Sequence, residues 1–239
     1  MKKILSAFIC AMLLIATTGC GSMNNTQKGA AIGAGGGAAL GAGIGALIGK
    51  GKGAAIGGVI GTAVGATAGV LIGKKMDKAK AQAEAIENAQ VESVTDANGL
   101  QAVKVTFDSG ILFATGSSKL QAAAKNSLSE FANNVLKQNA DMDVAIKGYT
   151  DNAGWKGCTA EQSAAKNEAL SLQRAQSVST YLTNMGVSTS QIKSIEGLGE
   201  ANPVADNSTA AGKQQNRRVE VYLYASEAMI NAANAGTLQ

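Results

Sequence analysis

The spacing of hydrophobic residues changes repeatedly along the 239-residue chain. An apolar core runs from Ile4 to Ile15 behind Met1-Lys2-Lys3. Residues 28–74 are almost wholly Gly, Ala and aliphatic, with lysines at the ends and centre, and residues 75–90 mix charge with alanine and hold no breaker. From Val91 the pattern turns to strands. Val103, Val105 and Phe107 alternate, as do Met142, Val144 and Ile146, and Val219, Val221 and Leu223, the period of half-buried β-strands. A less regular strand covers about 192–198. Between these strands the period becomes helical. Leu120, Ala124, Leu128, Phe131 and Val135 share one face of a helix that Ser117 can cap. Leu170, Val178, Tyr181, Leu182 and Met185 stripe a second helix, from about Asn167 to Met185, which Gly186 stops. The order βαβαβ plus a last strand predicts an α/β (α+β) sandwich over residues 91–225, with a sheet on one side, helices on the other, and residues 226–239 as a tail.

A basic start, a short apolar core and small residues before Cys20 describe a secretory signal over residues 1–19, too short for a spanning helix. The ending Ala16-Thr-Thr-Gly-Cys20 resembles the lipobox of bacterial lipoproteins, which implies an acylated Cys20 as first mature residue and residues 20–27 as a short tether. Thr17 departs from the aliphatic residue usual there. Ordinary cleavage, leaving Cys20 a free thiol, is the alternative. Two or more acyl chains hold a protein stably on a bilayer, whereas one does so only marginally.

Residues 28–50 and 52–74 are a duplication, identical at 15 of 23 ungapped positions. Gly33, Gly37, Gly41, Gly45 and Gly49 recur every fourth residue, and Gly57, Gly61, Gly65, Gly69 and Gly73 do the same. That period keeps the glycines on one helix face, where backbones approach closely. In water so much glycine makes a poor helix, but in a bilayer unpaired backbone is costlier still. Residues 29–49 and 53–73 would each span roughly 31 Å as a helix, close to the hydrocarbon thickness. A two-helix membrane hairpin follows, with a turn at Gly49-Lys-Gly-Lys-Gly53 and a helical stalk over 75–90. A flexible Gly/Ala linker is the competing reading. Neither Gly49-Lys50 nor Gly73-Lys74 has the flanking residues of a phosphate loop.

Composition removes several function classes. With 30 Gly, one Pro and only 4% aromatics, the folded core must be small and aliphatic. Net charge is +4, and loss of Lys2 and Lys3 with a leader leaves 19 basic against 17 acidic residues, or +2, too little for a nucleic-acid footprint. The chain has no histidine, which excludes Ser-His-Asp and Cys-His catalysis and His-ligated metals. Cys10, Cys20 and Cys158 have no metal-like spacing and no disulfide framework. No nucleophile–base pair stands out, so the chain reads as a non-enzyme without cofactor or metal.

One polar residue breaks the apolar patterning. Arg174 lies four residues after Leu170 and four before Val178, so it points with the helix's buried stripe. A guanidinium there needs an acid, hydrogen bonds or a ligand. Asp151, just beyond the strand ending at Gly148, is the obvious acid. Two readings stay open on the residues alone: an internal Asp151–Arg174 salt bridge, or a two-ended grip for a group carrying both ammonium and carboxylate.

These same residues carry a family resemblance. Phe107-Asp-Ser-Gly-Ile-Leu-Phe113, Gly148-Tyr-Thr-Asp-Asn-Ala-Gly154, Asn167-Glu-Ala-Leu-Ser-Leu-Gln-Arg-Ala175, Tyr181-Leu182 and Asn216-Arg-Arg-Val219 resemble, in order and over about residues 100–224, the OmpA-like peptidoglycan-binding domain of bacterial outer-membrane proteins and lipoproteins. The glycine-zipper segment is similar to ones found in lipoproteins of that group. The resemblance implies that Asp151 takes the ammonium and Arg174 the carboxylate of diaminopimelate in the peptide stem, with Thr150, Asn167 and Arg217 supporting the pocket. Two departures stand out. Tyr149 replaces the more usual His, and residues 154–166, holding Trp155 and Cys158, are about eight residues longer than the common form. That insertion is either a lip over the pocket or a surface loop, and Cys158 is a candidate for an intermolecular disulfide in an oxidising periplasm.

The resulting expectation is an outer-membrane lipoprotein, lipid-anchored through Cys20, whose periplasmic domain binds peptidoglycan and ties membrane to wall. Its partners would be peptidoglycan, membrane lipid through residues 28–74 and a second copy of itself, with no nucleic acid. A membrane-active glycine-zipper oligomer or pore, anchored by the same domain, is the alternative.

Overall fold

The computed structural model describes residues 64–96 and 98–238. Cys20, the tether 20–27 and most of the glycine-zipper hairpin therefore lie outside the described residues. Five strands form one mixed sheet: β1 (Ala89–Thr95), β2 (Gln101–Asp108), β3 (Met142–Gly148), β4 (Ile192–Gly197) and β5 (Arg218–Ala225), in the spatial order β1-β2-β5-β3-β4. All pairings are antiparallel except β3 with β4. The helices are α1 (Ala66–Glu84), α2 (Ser109–Leu112), α3 (Ala122–Phe131), α4 (Ala160–Asn184), α5 (Ala210–Asn216) and α6 (Glu227–Asn234). The α/β sandwich expected from patterning is present. Val103, Val105, Phe107, Val144, Ile146, Val219, Val221 and Leu223 bury one sheet face against Leu128, Phe131, Val178 and Leu182.

Two helices extend this core beyond the sequence expectation. In α1, Ala68, Ile72, Met76, Ala79 and Ala83 recur every three or four residues and are buried, and the helix packs on β1, β2 and α6. The sequence reading placed a zipper arm up to residue 74 and a stalk lifting the domain from 75. Instead one continuous helix crosses that boundary and lies against the sandwich, with Gly69 and Gly73 also buried. Its mixed Ala/Ile/Met stripe is a core face only against its partner. That partner includes α6, in the segment read as a tail. Ser226 caps α6, accepting from the Met229 N–H, and Met229, Ile230 and Ala233 are buried. Among the described residues no helix is long and apolar enough to cross a membrane.

Strand β1 was not distinguished by its alternation. It pairs with β2 through the turn after Asp96, whose Oδ1 accepts from the Asn98 and Leu100 N–H groups, both at 2.8 Å. The first long helix also begins later than expected. Ser117 caps only a local turn, accepting from Lys119 N–H, and α3 starts at Ala122 with Gln121 at its N-cap and no side-chain cap bond. It then widens into a π turn, Ala132–Leu136, before a 3₁₀ turn, Lys137–Asn139.

The main difference for function lies in α4. It begins at Ala160, seven residues before the expected Asn167, and Thr159 with Gln162 forms a full capping box. Residues 160–166 of the insertion are therefore two added helical turns, while Gly154, Trp155 and Lys156 ahead of them line a cleft.

Glycines set how closely α4 sits on the sheet. A Cβ at Gly148 would stand 2.1 Å from the Ser171 carbonyl oxygen, and one at Gly197 would stand 2.3 Å from the Leu172 amide nitrogen. Only a bare backbone permits that approach. It seats Ser171 of α4 on the end of β3, with Asn167 towards Asp151 and Arg174 on the next turn.

Candidate functional site

The end of β3 and the start of β5 meet through register. Gly148 pairs with Val219 in the antiparallel ladder, so two residues further on, Thr150 comes level with Arg217. The chain stays tied there: Tyr149 N–H donates to the Arg218 carbonyl at 2.9 Å, and Thr150 N–H to the Gly199 carbonyl at 2.8 Å. Asp151 thus emerges beside Arg217, whose Nη1 donates to Asp151 Oδ2 at 2.5 Å. Asp151 Oδ1 accepts from Ala153 N–H at 3.1 Å, closing a small Asx turn.

Arg174 has different partners. Its Nε donates to the Ser117 carbonyl at 3.0 Å, its Nη2 faces the Ala114 carbonyl at 3.5 Å, and its Cζ stands 5.2 Å from the centre of the Phe113 ring. The loop after α2 is folded to provide these acceptors. Asp108 caps α2, Phe113 bridges to Leu120, and Gly116 turns with a positive φ of 67°. Arg174 is 3% exposed. Burial first, and then the charge of Arg217, lower its pKa below the ordinary guanidinium value, while Asp151 pulls the other way. Arginine stays charged regardless. Among the described residues this cation is held by carbonyls and a ring face, an arrangement that an anion would stabilise.

No direct Asp151–Arg174 ion pair forms; the acid is engaged by Arg217 instead. Both charges nevertheless line one cleft of about 540 Å³, together with Thr150, Asn167 and Arg217. All five site residues named from sequence are therefore brought together. Thr150 is buried, and its hydroxyl has no partner among the described residues. Asn167 works mainly on the wall. Its Nδ2 donates to the Ala153 carbonyl at 3.1 Å and its Oδ1 accepts from the Trp155 indole N–H at 2.8 Å. Tyr149 does not reach the cleft. It is buried with its ring 3.7 Å from the Arg218 guanidinium carbon, so it packs.

Phe113, Trp155 and Lys156 also line the cleft and were given no binding role from sequence. Phe113 lay within a quoted motif, and the sole tryptophan, Trp155, was the available signal for that wall. Cys158 is half-buried with Lys166 Nζ 3.1 Å from its sulfur. Among the described residues no group of three or more Cys, Asp or Glu side chains is placed to hold a metal. Chemically, the cleft offers a carboxylate with lone pairs to spare for an ammonium and a guanidinium for a carboxylate.

Residues 112–217 match the OmpA family and residues 1–77 match the YMGG-like Gly-zipper. The chain is 44% identical over 119 residues to the probable lipoprotein YiaD of Escherichia coli, covering 50% of this chain and 47% of that protein. It is 44% identical over 86 residues to the peptidoglycan-binding protein ArfA of Mycobacterium tuberculosis, covering 36% of this chain and 24% of the other. The chain thus spans about half the length, or less, of these curated relatives. Among solved structures, the cell wall anchor of the T6SS from Pseudomonas aeruginosa superposes with a TM-score of 0.50 at 26% identity, covering 63% of this chain and 97% of that one.

Proposed function

We propose that this chain, an OmpA-like domain behind a glycine-zipper segment, is a lipid-anchored envelope protein that binds peptidoglycan non-covalently and ties the outer membrane to the wall. The observation that carries the reading is the cleft itself. Asp151 and Arg174 face one cavity without pairing directly, and among the described residues Arg174 is buried on two carbonyls and the Phe113 ring. Diaminopimelate supplies the missing charges, with its ammonium on Asp151 and its carboxylate on Arg174. Thr150 supports the wall of the same cleft, and Arg217 holds the Asp151 carboxylate in place.

The comparisons support this assignment. The relatives are named as a lipoprotein and a peptidoglycan-binding protein, and the structural neighbour as a cell wall anchor. Cys20 as the acylated residue, residues 28–74 as the membrane-associated part and a periplasmic domain complete the tether. Charge-assisted contacts contribute about 1.5–3 kcal/mol each, so a single site binds modestly, and many anchored copies on a polymeric wall hold by multivalency. The role is binding rather than catalysis. Co-sedimentation with purified sacculi, in the presence and absence of free diaminopimelate, tests it. Retention that the free amino acid competes away is expected, and retention indifferent to it contradicts the assignment.

A further inference from the structure

The cleft holds more positive charge than a zwitterionic end group uses. Arg174, Arg217 and Lys156 line it against one carboxylate, Asp151, so three cations less one anion leave +2. A ligand group with one ammonium and one carboxylate adds nothing to that sum. Arg217 is engaged by Asp151 and Arg174 is committed to the first carboxylate. Lys156 is exposed, and among the described residues it has no ion pair. The field of such a cleft favours a second anionic group on the ligand.

Trp155, the residue before Lys156, is fixed from several sides. The Trp155 backbone N–H donates to Ser163 Oγ at 3.0 Å, its indole N–H to Asn167 Oδ1 at 2.8 Å, and its carbonyl accepts from Cys158 N–H at 3.1 Å. Lys166 Nζ stands 5.6 Å from the ring centre. Ser163 and Lys166 lie on the turns that lengthen α4. The insertion therefore builds a rigid aromatic wall into the cleft, with a free ammonium beside it.

We infer that Trp155 and Lys156 are specificity-determining residues that extend the grip along the ligand. Trp155 packs on the aliphatic chain next to the diamino end group, and Lys156 takes a second carboxylate of the same peptide. This rests on the peptide-stem reading above. The second carboxylate has two chemical sources: the free end of the peptide, or an acidic residue preceding the diamino acid.

Calorimetric titration of the full chain in detergent with three synthetic stem peptides ending in diaminopimelate tests the inference. One peptide has both carboxylates free, and each of the others has one of the two amidated. Amidation at the position read by Lys156 weakens binding roughly three- to tenfold, the range for a partly exposed charge-assisted contact. In Lys156→Gln the same amidation costs little further, because the two losses are coupled. Trp155→Ala weakens all three peptides by roughly tenfold, the scale of a lost aromatic contact, and Trp155→Phe, which keeps a ring face but loses the indole N–H bond to Asn167, recovers part of it. Equal binding of all three peptides, or losses from amidation and Lys156→Gln that simply multiply, overturns the inference. Failure of the underlying reading looks different: the unamidated peptide then binds Asp151→Ala as tightly as the unsubstituted chain.

Discussion

Arg217, and not Arg174, is the partner of Asp151: the Nη1–Oδ2 distance is 2.5 Å, while Arg174 is turned to the carbonyls of Ser117 and Ala114. In the proposed site one arginine therefore positions the acid and the other is left to take an anion. That division of labour separates effects on stability from effects on binding.

Removing Arg217 should cost little folding stability. Its side chain is 35% exposed against 10% for Asp151, and such pairs contribute about 1 kcal/mol or less once water screens them. Arg217→Ala should shift the midpoint of urea unfolding only slightly while lowering affinity for a diaminopimelate-containing peptide, because Asp151 loses its fixed orientation. A large loss of stability would show that the pair is structural.

Arg174 should behave in the opposite sense to an ordinary buried residue. A buried charge without an ionic partner is costly, and a well-packed apolar replacement is often neutral or stabilising. Arg174→Met should leave the melting temperature unchanged or higher and abolish peptide binding. Thermal unfolding with and without the peptide measures both, and ligand-induced stabilisation should be absent in the variant.

Gly148 and Gly197 are the points on which α4 is seated. An added methyl at either meets backbone atoms at 2.1 and 2.3 Å, so Gly148→Ala and Gly197→Ala should destabilise by about 1–3 kcal/mol. They should also weaken binding, since Arg174 and Asn167 ride on the displaced helix. Denaturant unfolding alongside peptide titration checks this, and a neutral substitution would place α4 further from the sheet.

Asp96 gives the fold a pH dependence. Burial is the main cause that raises its pKa from 3.8 to about 6, opposed by the N–H groups of Leu100 and Asn98, and its Oδ2 has no partner among the described residues. Because the folded state holds this proton more tightly than the unfolded state, stability falls as pH rises from about 4 to 6 and stays lower above that. Asp96→Asn keeps an acceptor for the turn and removes the charge. It should be more stable than the unsubstituted chain at pH 7, by on the order of 2–3 kcal/mol at most, with the gap closing towards pH 4. Unfolding curves across that range measure it, and a constant gap would contradict the assignment.

The sheet and the site were legible to different degrees for physical reasons. Alternation in β2, β3 and β5 marks faces buried on a helical layer, so those strands could be read directly. β1 could not, because Ala89, Val91 and Ser93 are only half-buried between the exposed Gln90 and Glu92 and it needs β2 to define it. Likewise α1 and α6 are weak amphipathic segments whose buried faces exist only against each other and the sheet. Asp151 and Arg174 were legible because Arg174 interrupts an apolar stripe and Asp151 follows a strand, whereas Thr150, Asn167 and Arg217 followed only from the family resemblance. The pairing of Asp151 with Arg217 was not legible, because it depends on the β3–β5 register, which sets Arg217 level with Thr150. The insertion is visible as added length, and its conversion into helix rests on the Thr159–Gln162 capping box, a local signal already in the sequence.

The central claim is that Asp151 and Arg174 together grip the diamino acid of the wall peptide. Its most direct test is isothermal titration of one stem peptide ending in diaminopimelate into the unsubstituted chain, Asp151→Ala and Arg174→Ala. The account predicts saturable binding to the unsubstituted chain and a loss of roughly tenfold or more in each variant, the scale of one charge-assisted contact. Equal affinity in all three proteins would contradict it.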